Sequence, residues 1–296
     1  MPPARHEEGW HRATDGLRLY WQAWRPEAPR AMLLFVHGLG EHSGRYQNPI
    51  AYFVARRFAC YALDCRAHGR SGGTPVHIDR FEEFLGDVRT IAAWMREEHP
   101  GLPLFLVGHS QGGLIVLACA LWHSPPGLAG LIVSSPFLGL HPETRPGPLL
   151  HWTARILSRV WPRLRLPNHL DPRKLSRDPK VVAAYAADPL VSHQVSVRWF
   201  SEVLRVQERV QAGAGDLGRP ALVMVSGADR VVDAEATRRW AARAPPHLTE
   251  FLCWDGLYHE MFNEPERELV FRKMEEWLEG RLLSECPPPG AARRTG

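Results

Sequence analysis

The feature that most constrains the fold of this chain is a serine between glycines at the junction of two apolar segments. Residues 104–107 are continuously apolar, residues 108–112 carry the motif GHSQG, and a second apolar segment runs on to residue 122. An uninterrupted apolar run of this length would suit a membrane-spanning helix, but glycines and polar side chains occupy its middle. The pattern therefore predicts a buried strand, a sharp turn and a helix.

Short apolar strands and amphipathic helices alternate on both sides of this serine. Residues 10–24 alternate polar and apolar side chains about Asp15 and Gly16, a dipeptide typical of the turn in an antiparallel hairpin. Further strands are predicted at residues 32–36, 58–63, 104–107, 128–133, 221–226 and 248–254. Helices are predicted at residues 47–57, 80–99, 112–122, 196–211, 233–244 and 264–283. The alternation indicates an eight-stranded, mostly parallel sheet with helices on both faces and a ligand site at the carboxyl ends of its strands.

The alternation stops in one Pro- and Arg-rich segment. We therefore predict an α/β core at residues 1–135 and 194–285, with a helical cap inserted at residues 136–193. The last helix is expected to begin with Asn263 and Glu266 as a capping box. Residues 286–296, with three prolines followed by small and basic residues, are predicted to be disordered.

Composition excludes several classes of protein. With 45% hydrophobic and 23% charged residues the chain can bury a large core, and its net charge of +4 falls short of a nucleic-acid-binding footprint. The first residues lack the apolar run of a secretory signal. The cysteines are scattered without metal-ligand spacing, at positions 60, 65, 119, 253 and 286. We expect a cytoplasmic protein with reduced thiols that binds no nucleic acid and needs neither a metal ion nor an organic cofactor.

The GHSQG motif places a candidate nucleophile at Ser110. A GxSxG motif directly after a strand and before a helix is typical of the nucleophile elbow of α/β-hydrolases. Glycine is needed at Gly108 and Gly112 because side chains there would collide with neighbouring backbone. The alternative interpretation is an ordinary glycine-flanked turn, which the strand–turn–helix context disfavours.

A serine hydroxyl needs a base to take its proton and an acid to orient that base. In α/β-hydrolases these partners follow in the order serine, acid, histidine. His259 comes just after the last predicted strand, and Asp229 follows the strand before it. Asp233 is the better candidate for a helix cap, and Asp255 belongs to the same turn as the histidine. We predict Ser110, Asp229 and His259 as the catalytic residues.

The oxyanion formed during acyl transfer needs backbone N–H donors. The N–H of Gln111, directly after the serine, is one candidate. Leu39 is the other, because HGLG at residues 37–40 follows a strand and allows close approach of the backbone. The same loop could cradle phosphate instead, but it lacks the lysine of a P-loop and does not match GxGxxG.

The chain resembles the monoacylglycerol lipase and lysophospholipase group of α/β-hydrolases. The matching motifs follow the order of that family: HGLGEHSGRY (37–46), DCRAHGRSGG (64–73), GHSQGG (108–113), SSPFL (134–138), DPL (188–190), SGADRVVD (226–233) and YHEMFNE (258–264). The resemblance implies the same triad and oxyanion donors, a cap after the sixth strand, and hydrolysis of single-chain acyl glycerides or related esters.

The resemblance also implies that Glu41 and Arg45 bind the glycerol head group of a substrate. A structural ion pair that braces the loop is the alternative. The chain departs from the mammalian lipases of the group at Phe262, where they carry a second histidine, so the resemblance in the glycerol-binding region is incomplete. The histidines near the site are expected to brace loops, at positions 37, 42, 68 and 109.

Residues 149–164 of the cap have the pattern of a basic amphipathic helix. Apolar side chains recur at helical spacing, with Arg155, Arg159 and Arg163 on the other side. Residues 141–193 hold nine basic and four acidic side chains, an excess of five. Such a helix either lies on an anionic membrane surface, making the protein peripherally membrane-associated, or packs on the core as a surface helix.

Taken together, these observations predict a serine hydrolase that cleaves carboxylic esters, with a small acyl ester as its substrate. Two alternatives remain open. The same fold could act on an amide, a peptide or another non-lipid acyl substrate, or it could have become a binding protein without turnover.

Overall fold

The computed structural model describes residues 4–145 and 147–285. The strands are, in chain order, β1 (Arg5–Arg12), β2 (Arg18–Arg25), β3 (Ala31–Val36), β4 (Phe58–Leu63), β5 (Leu104–His109), β6 (Leu128–Ser134), β7 (Arg165–Pro167), β8 (Gln194–Ser196), β9 (Ala221–Ser226) and β10 (Thr249–Trp254). The α-helices are α1 (Gln47–Val54), α2 (Glu82–Glu98), α3 (Gln111–Trp122), α4 (Pro148–Val160), α5 (Pro179–Ala187), α6 (Val197–Ala212), α7 (Ala234–Ala241) and α8 (Arg267–Glu285).

The main sheet has eight strands in the order β1-β2-β4-β3-β5-β6-β9-β10. The hairpin β1–β2 is antiparallel, and β2 pairs with β4 in antiparallel fashion. The other neighbouring strands of this sheet, in the order β4-β3-β5-β6-β9-β10, are all parallel. Strands β3, β4, β5 and β9 are buried along their whole length. Continuous apolar strands of this kind need cover on both faces, so the predicted mostly parallel sheet is confirmed.

Helices cover both faces of the sheet. On one face α2, α3, α6 and α7 pack together around buried side chains such as Val88, Leu117 and Trp240. On the other face α1 and α8 enclose a second apolar layer that includes Phe53 and Phe271. The parallel strands all end at one edge of the sheet, so the loops that follow β3, β5, β9 and β10 meet there.

The segment between β6 and α6 contains α4 and α5 together with a small antiparallel sheet of β7 and β8. It is attached to the loop after β3, where the Ser192 N–H donates to the Gly40 carbonyl over 2.7 Å. Because β8 pairs with β7, the inserted strands extend slightly past the expected boundary at residue 193. The division into core and cap stays a prediction.

The start of the last helix differs from its prediction. Helix α8 begins at Arg267 rather than at residue 264. The Glu264 carboxylate, just before the helix, accepts hydrogen bonds from the Ser176 hydroxyl, the Arg177 backbone and side chain, and the Tyr258 backbone. The two predicted capping side chains also bind other segments, Asn263 to Asn48 and Glu266 to Arg177. The expected capping box is therefore wrong. The tail predicted to be disordered, 286–296, lies outside the described residues, and no described helix is long and apolar enough to cross a membrane.

Candidate active site

Ser110 lies in the turn between β5 and α3. Its backbone has φ 53° and ψ −116°, a conformation that costs a non-glycine residue on the order of 1–3 kcal/mol. Neighbouring backbone holds the turn in place. The Ser110 N–H donates to the Ser134 carbonyl over 3.0 Å, and the Phe137 N–H donates to the Ser110 carbonyl over 2.9 Å. The serine is thereby fixed at the carboxyl edge of the sheet.

The two glycines of the motif are required by close packing. A Cβ atom on Gly108 would lie 2.4 Å from the carbonyl oxygen of Gly112. A Cβ atom on Gly112 would lie 1.9 Å from the carbonyl oxygen of Val36. Real Cβ atoms do not approach backbone so closely, so the reason given for these glycines from sequence is confirmed.

His259 and Asp229 form a buried pair at the ends of β10 and β9. Nδ1 of His259 lies 2.8 Å from Oδ2 of Asp229. Oδ1 of Asp229 accepts hydrogen bonds from the N–H groups of Val231 and Val232, at 2.8 and 3.0 Å. Because the Asp229 carboxylate can only accept hydrogen bonds, the imidazole of His259 carries its proton on Nδ1. Its other nitrogen, Nε2, is then an acceptor.

The pKa values of the pair shift in opposite directions. Burial favours a neutral Asp229 carboxyl, but the attraction of His259 and the hydrogen bonds outweigh burial and lower its pKa. Burial likewise opposes the charged form of His259, but the Asp229 carboxylate outweighs it and raises the imidazole pKa above its ordinary value. The site thus stabilises an imidazolium, the form that a base reaches after it takes a proton.

The rival acids lie elsewhere. Oδ1 of Asp233 accepts a hydrogen bond from the Ala236 N–H over 3.1 Å as the N-cap of α7. Asp255 is exposed in the turn after β10. Only Asp229 of these three carboxylates pairs with His259.

Ser110 and His259 line the same cavity, whose volume is about 470 Å³. The loop after β3, the segment between β6 and α6, and the loops after β9 and β10 form its walls. The lining is largely apolar and includes Phe137, Leu140, Leu157, Leu175, Trp199 and Val231. Among the residues with described placement, no group of three His, Cys, Asp or Glu side chains is arranged to hold a metal ion.

Leu39 and Gln111 stand on either side of Ser110. The loop of Leu39 approaches the serine closely, since a Cβ atom on Gly38 would lie 3.2 Å from the Ser110 Cβ. Gln111 is the first residue of α3, where backbone N–H groups lack partners within the helix. Within residues 4–145 and 147–285, neither the Leu39 nor the Gln111 N–H donates to a protein acceptor. Both are therefore available to a bound group.

Glu41, Arg45 and Glu260 form a buried cluster beside the cavity. Nη1 of Arg45 lies 2.7 Å from Glu41, and its two terminal nitrogens lie 2.6 and 2.9 Å from the oxygens of Glu260. Burial opposes ionisation of Glu41, but Arg45 and nearby histidines outweigh it and lower its pKa to about 2. The ion pair of Glu41 and Arg45, suggested from sequence as a brace for the loop, is present. Glu41 reaches the cavity wall, and Arg45 lines a small adjoining cavity.

Each of the four histidines near the site makes a contact through a ring nitrogen, either within its own loop or to a neighbouring segment. These contacts are His37 with the Cys65 N–H, His42 with Asp188, His68 with the Arg66 carbonyl, and His109 with the Ser134 hydroxyl. Burial and the nearby His259 lower the pKa of His109 to about 4, so its ring stays neutral. The expectation that they brace loops is confirmed.

Sequence reasoning missed Glu260 and Glu264. Glu260 holds Arg45, and Glu264 ties the segment of Ser176 to the loop that carries His259. Both glutamates lie in the six-residue stretch HEMFNE, which begins with His259. Two acidic residues so close to the candidate base could have pointed to them.

A strained serine at a strand–helix junction, with an imidazole–carboxylate pair on later strands, is the mark of the serine hydrolases with the α/β-hydrolase fold. The fold and the site place this chain in that class. The model of the Hydrolase_4 family, described as serine aminopeptidase S33, matches residues 27–266. The chain belongs to this family.

Several characterised proteins are similar along nearly the whole chain. The monoacylglycerol lipase of Mycolicibacterium smegmatis is 35% identical over 271 residues, which cover 91% of this chain and 95% of that protein. The phospholipase YtpA of Bacillus subtilis is 33% identical over 251 residues, 84% of this chain and 95% of that protein. The solved structure of the Paleococcus ferrophilus monoacylglycerol lipase matches with a TM-score of 0.80 and 34% identity, covering 89% of this chain and 99% of that chain.

Proposed function

We propose that this chain hydrolyses carboxylic esters with a single acyl chain, with monoacylglycerols and lysophospholipid-like esters as the substrate class. Ser110 attacks the ester carbonyl, His259 takes its proton and passes it to the leaving alcohol, and Asp229 holds the imidazole in the required tautomer. The N–H groups of Leu39 and Gln111 stabilise the oxyanion, each contributing about 2.7–4 kcal/mol. Water then attacks the acyl-enzyme by the same steps and releases the fatty acid.

The observation that carries this proposal is the buried pair of His259 and Asp229, 2.8 Å apart, beside a cavity that Ser110 also lines. A carboxylate-bound imidazole with a free Nε2 is a competent base. The cavity gives that base and the serine a common, largely apolar space. These features support acyl transfer through a covalent intermediate.

The cavity also supports the substrate class. Its volume of about 470 Å³ lies in the usual range of about 300–1,000 Å³ for small-molecule pockets. Apolar side chains such as Phe137, Leu157 and Trp199 would receive an acyl chain. The relatives named for monoacylglycerol and phospholipid hydrolysis favour the same substrates.

The experiment is to label the protein with a fluorophosphonate and to measure hydrolysis of monoacylglycerols and p-nitrophenyl esters for the wild type and S110A. We expect S110A to lose both labelling and turnover. The matched control is S226A, since Ser226 is a buried serine that bonds to the Ser135 hydroxyl, and it should behave as the wild type. Labelling or turnover that persists in S110A would remove Ser110 from the mechanism.

An amide substrate is the second candidate, because the family description names an aminopeptidase. Such an enzyme needs an unpaired carboxylate to hold a substrate ammonium. The carboxylates of Glu41 and Glu260 in the cavity wall are both engaged by Arg45, which favours esters. A panel of p-nitrophenyl esters and aminoacyl anilides separates the two. Inactivity on every ester and anilide would instead favour a binding protein.

We also propose that α4 contacts anionic membranes or lipid aggregates peripherally. Helix α4 packs on α6 through the small side chains of Ala154 and Ser158. Leu157 of this helix lines the cavity, but Trp152 and Val160 point outward and are 70% and 78% exposed. Exposed apolar patches of this kind mark interaction surfaces. The excess of basic over acidic residues in residues 141–193, which include α4, would attract anionic lipid.

Vesicle co-sedimentation tests this contact. We expect binding to vesicles that contain anionic lipid. This binding should weaken as the salt concentration rises, because screening shortens the range of electrostatic attraction. V160D should reduce binding by introducing charge into the apolar face. L269D is the control, because Leu269 is also an exposed apolar residue but lies in α8, outside that face. Binding at low salt that is independent of anionic lipid, or equal loss in both variants, would contradict the proposal.

A further inference from the structure

Trp199, in the first turn of α6, makes a buried polar contact from the cavity wall. Its indole N–H donates to Oε1 of Gln111 over 2.8 Å. Its ring stacks on Phe137, with centroids 6.5 Å apart and planes 17° from parallel. Because an indole N–H can only donate, it fixes the orientation of the Gln111 amide, with the oxygen toward Trp199.

The Gln111 side chain has a single polar anchor. Its residue is completely buried, and its Nε2 has no hydrogen-bond partner in the described part of the chain. Buried polar side-chain atoms usually have at least one hydrogen-bond partner, and in this amide only Oε1 has one. The contact with Trp199 is therefore what holds this amide in one rotamer.

Trp199 contacts two residues that adjoin the serine turn, Gln111 by a hydrogen bond and Phe137 by ring stacking. Gln111 directly follows Ser110, so a fixed side chain also limits rotation of the peptide between them. On the other side, the Phe137 N–H donates to the Ser110 carbonyl over 2.9 Å, and the Phe137 ring stacks on Trp199. The indole thus restrains the serine turn from two directions.

We propose that Trp199 is a positioning residue for the oxyanion site, which acts by holding Gln111 so that its backbone N–H stays directed at the developing oxyanion. This inference rests on the proposed function, in which that N–H is a donor. Pre-oriented donors stabilise the transition state more than the bound substrate. Loss of the indole N–H should therefore lower kcat and leave KM unchanged.

The test compares the wild type with W199F, which keeps an aromatic ring in the wall but removes the donor. We measure kcat and KM on a p-nitrophenyl ester and the affinity for a trifluoromethyl ketone, whose adduct with the serine carries an oxyanion. Removing an oxyanion donor altogether costs about 100- to 1,000-fold, so we expect a loosened donor to cost roughly tenfold in kcat. Affinity for the ketone should fall by the same factor.

W240F is the matched control. Trp240 is also fully buried on the same face of the sheet, and its indole N–H donates to the Val210 carbonyl over 2.9 Å. It lies outside the cavity lining, so W240F should keep the wild-type kcat. Thermal unfolding of both variants shows whether each remains folded.

A second variant keeps the inference testable if W199F does not fold. Q111M removes the acceptor with little change in side-chain length, and it should show the same loss of kcat. The double variant W199F/Q111M should lose no more than either single variant, because both remove one contact. Additive losses would show that the two residues act separately and would overturn the inference.

The outcomes also separate this inference from the proposed function. The positioning role of Trp199 is overturned if W199F keeps the wild-type kcat and ketone affinity, or if kcat falls equally in W240F. Inactivity of S110A in the same assays would show that the proposed function still holds. An active S110A overturns the proposed function itself. A kcat-specific loss confined to W199F and Q111M supports the inference.

Discussion

The guanidinium of Arg45 pairs with both carboxylate oxygens of Glu260, the residue directly after His259, at 2.6 and 2.9 Å. The two partners are 215 positions apart in the chain. Their contact joins the loop after β3, which carries Leu39, to the loop after β10, which carries the imidazole. Arg45 also binds Glu41, so two buried carboxylates share one buried cation.

Replacing Arg45 with methionine should destabilise the fold strongly. R45M leaves Glu41 and Glu260 buried without a counter-ion, and breaking a buried pair from one side costs about 3–5 kcal/mol. Urea unfolding measures the change in the free energy of unfolding. R173M is the control, because Arg173 pairs with Asp171 on the surface and such pairs contribute little. Equal stability of R45M and the wild type would contradict this prediction.

Asp229 should be needed for turnover, whereas Asp233 should not. In D229N the amide cannot favour the Nδ1-protonated imidazole of His259, and we expect kcat to fall about 10⁴-fold, as in other serine triads. D233N keeps a side-chain acceptor for the N-cap of α7, and asparagine caps as well as aspartate. Its kcat should match the wild type. Steady-state kinetics on a p-nitrophenyl ester measure both, and comparable activity of the two variants would refute the assignment.

The pH dependence should follow His259. The imidazole must be neutral to accept the serine proton, so kcat/KM should fall as the pH drops through its pKa. Burial lowers that pKa, but the Asp229 carboxylate outweighs burial and raises it above the ordinary 6.5. The acid limb of the wild type should therefore have its midpoint above 6.5.

D229N is the informative variant for this profile. It removes the carboxylate and leaves burial as the main influence on the imidazole, so the midpoint of its residual activity should move to lower pH. D233N should keep the wild-type midpoint. A midpoint that does not move in D229N would show that another group controls the limb.

The elbow should tolerate no side chain at Gly112. In G112A the added Cβ would lie 1.9 Å from the Val36 carbonyl oxygen and 2.6 Å from that of His37. Backbone would have to move, and we expect destabilisation of about 3 kcal/mol or more together with loss of activity.

G280A is the matched control for this variant. Gly280 lies within α8, and a Cβ there meets nothing within 4 Å. Alanine should stabilise that helix by about 0.5–1 kcal/mol. Chemical denaturation measures both changes, and a stable, active G112A would contradict the close packing of the elbow.

Local pattern was enough to predict the scaffold of the site. The strands β3, β5, β9 and β10 were predicted to within a few residues because their apolar runs and flanking turns are encoded in neighbouring residues. The parallel order of the strands then brings their carboxyl ends together. On this basis Asp229 was preferred to Asp233 as the partner of His259, and the structure pairs those two residues.

Other features depended on contacts between distant segments. Periodicity predicted that the cap helix has an apolar face, but it did not reveal that Val160 and Trp152 would be left uncovered. The start of α8 is predicted too early, because local capping preferences take no account of Asn48 and Arg177, which bind Asn263 and Glu266 from other segments.

The sequence by itself determined the class of fold, the strained position of Ser110 and the order of its candidate partners. These follow from periodicity and from backbone sterics, which act between near neighbours. The tertiary structure decided that Arg45 is shared between Glu41 and Glu260 and that Trp199 holds Gln111. Such pairings depend on which side chains meet when the sheet and its loops pack, and spacing along the chain carries no record of that.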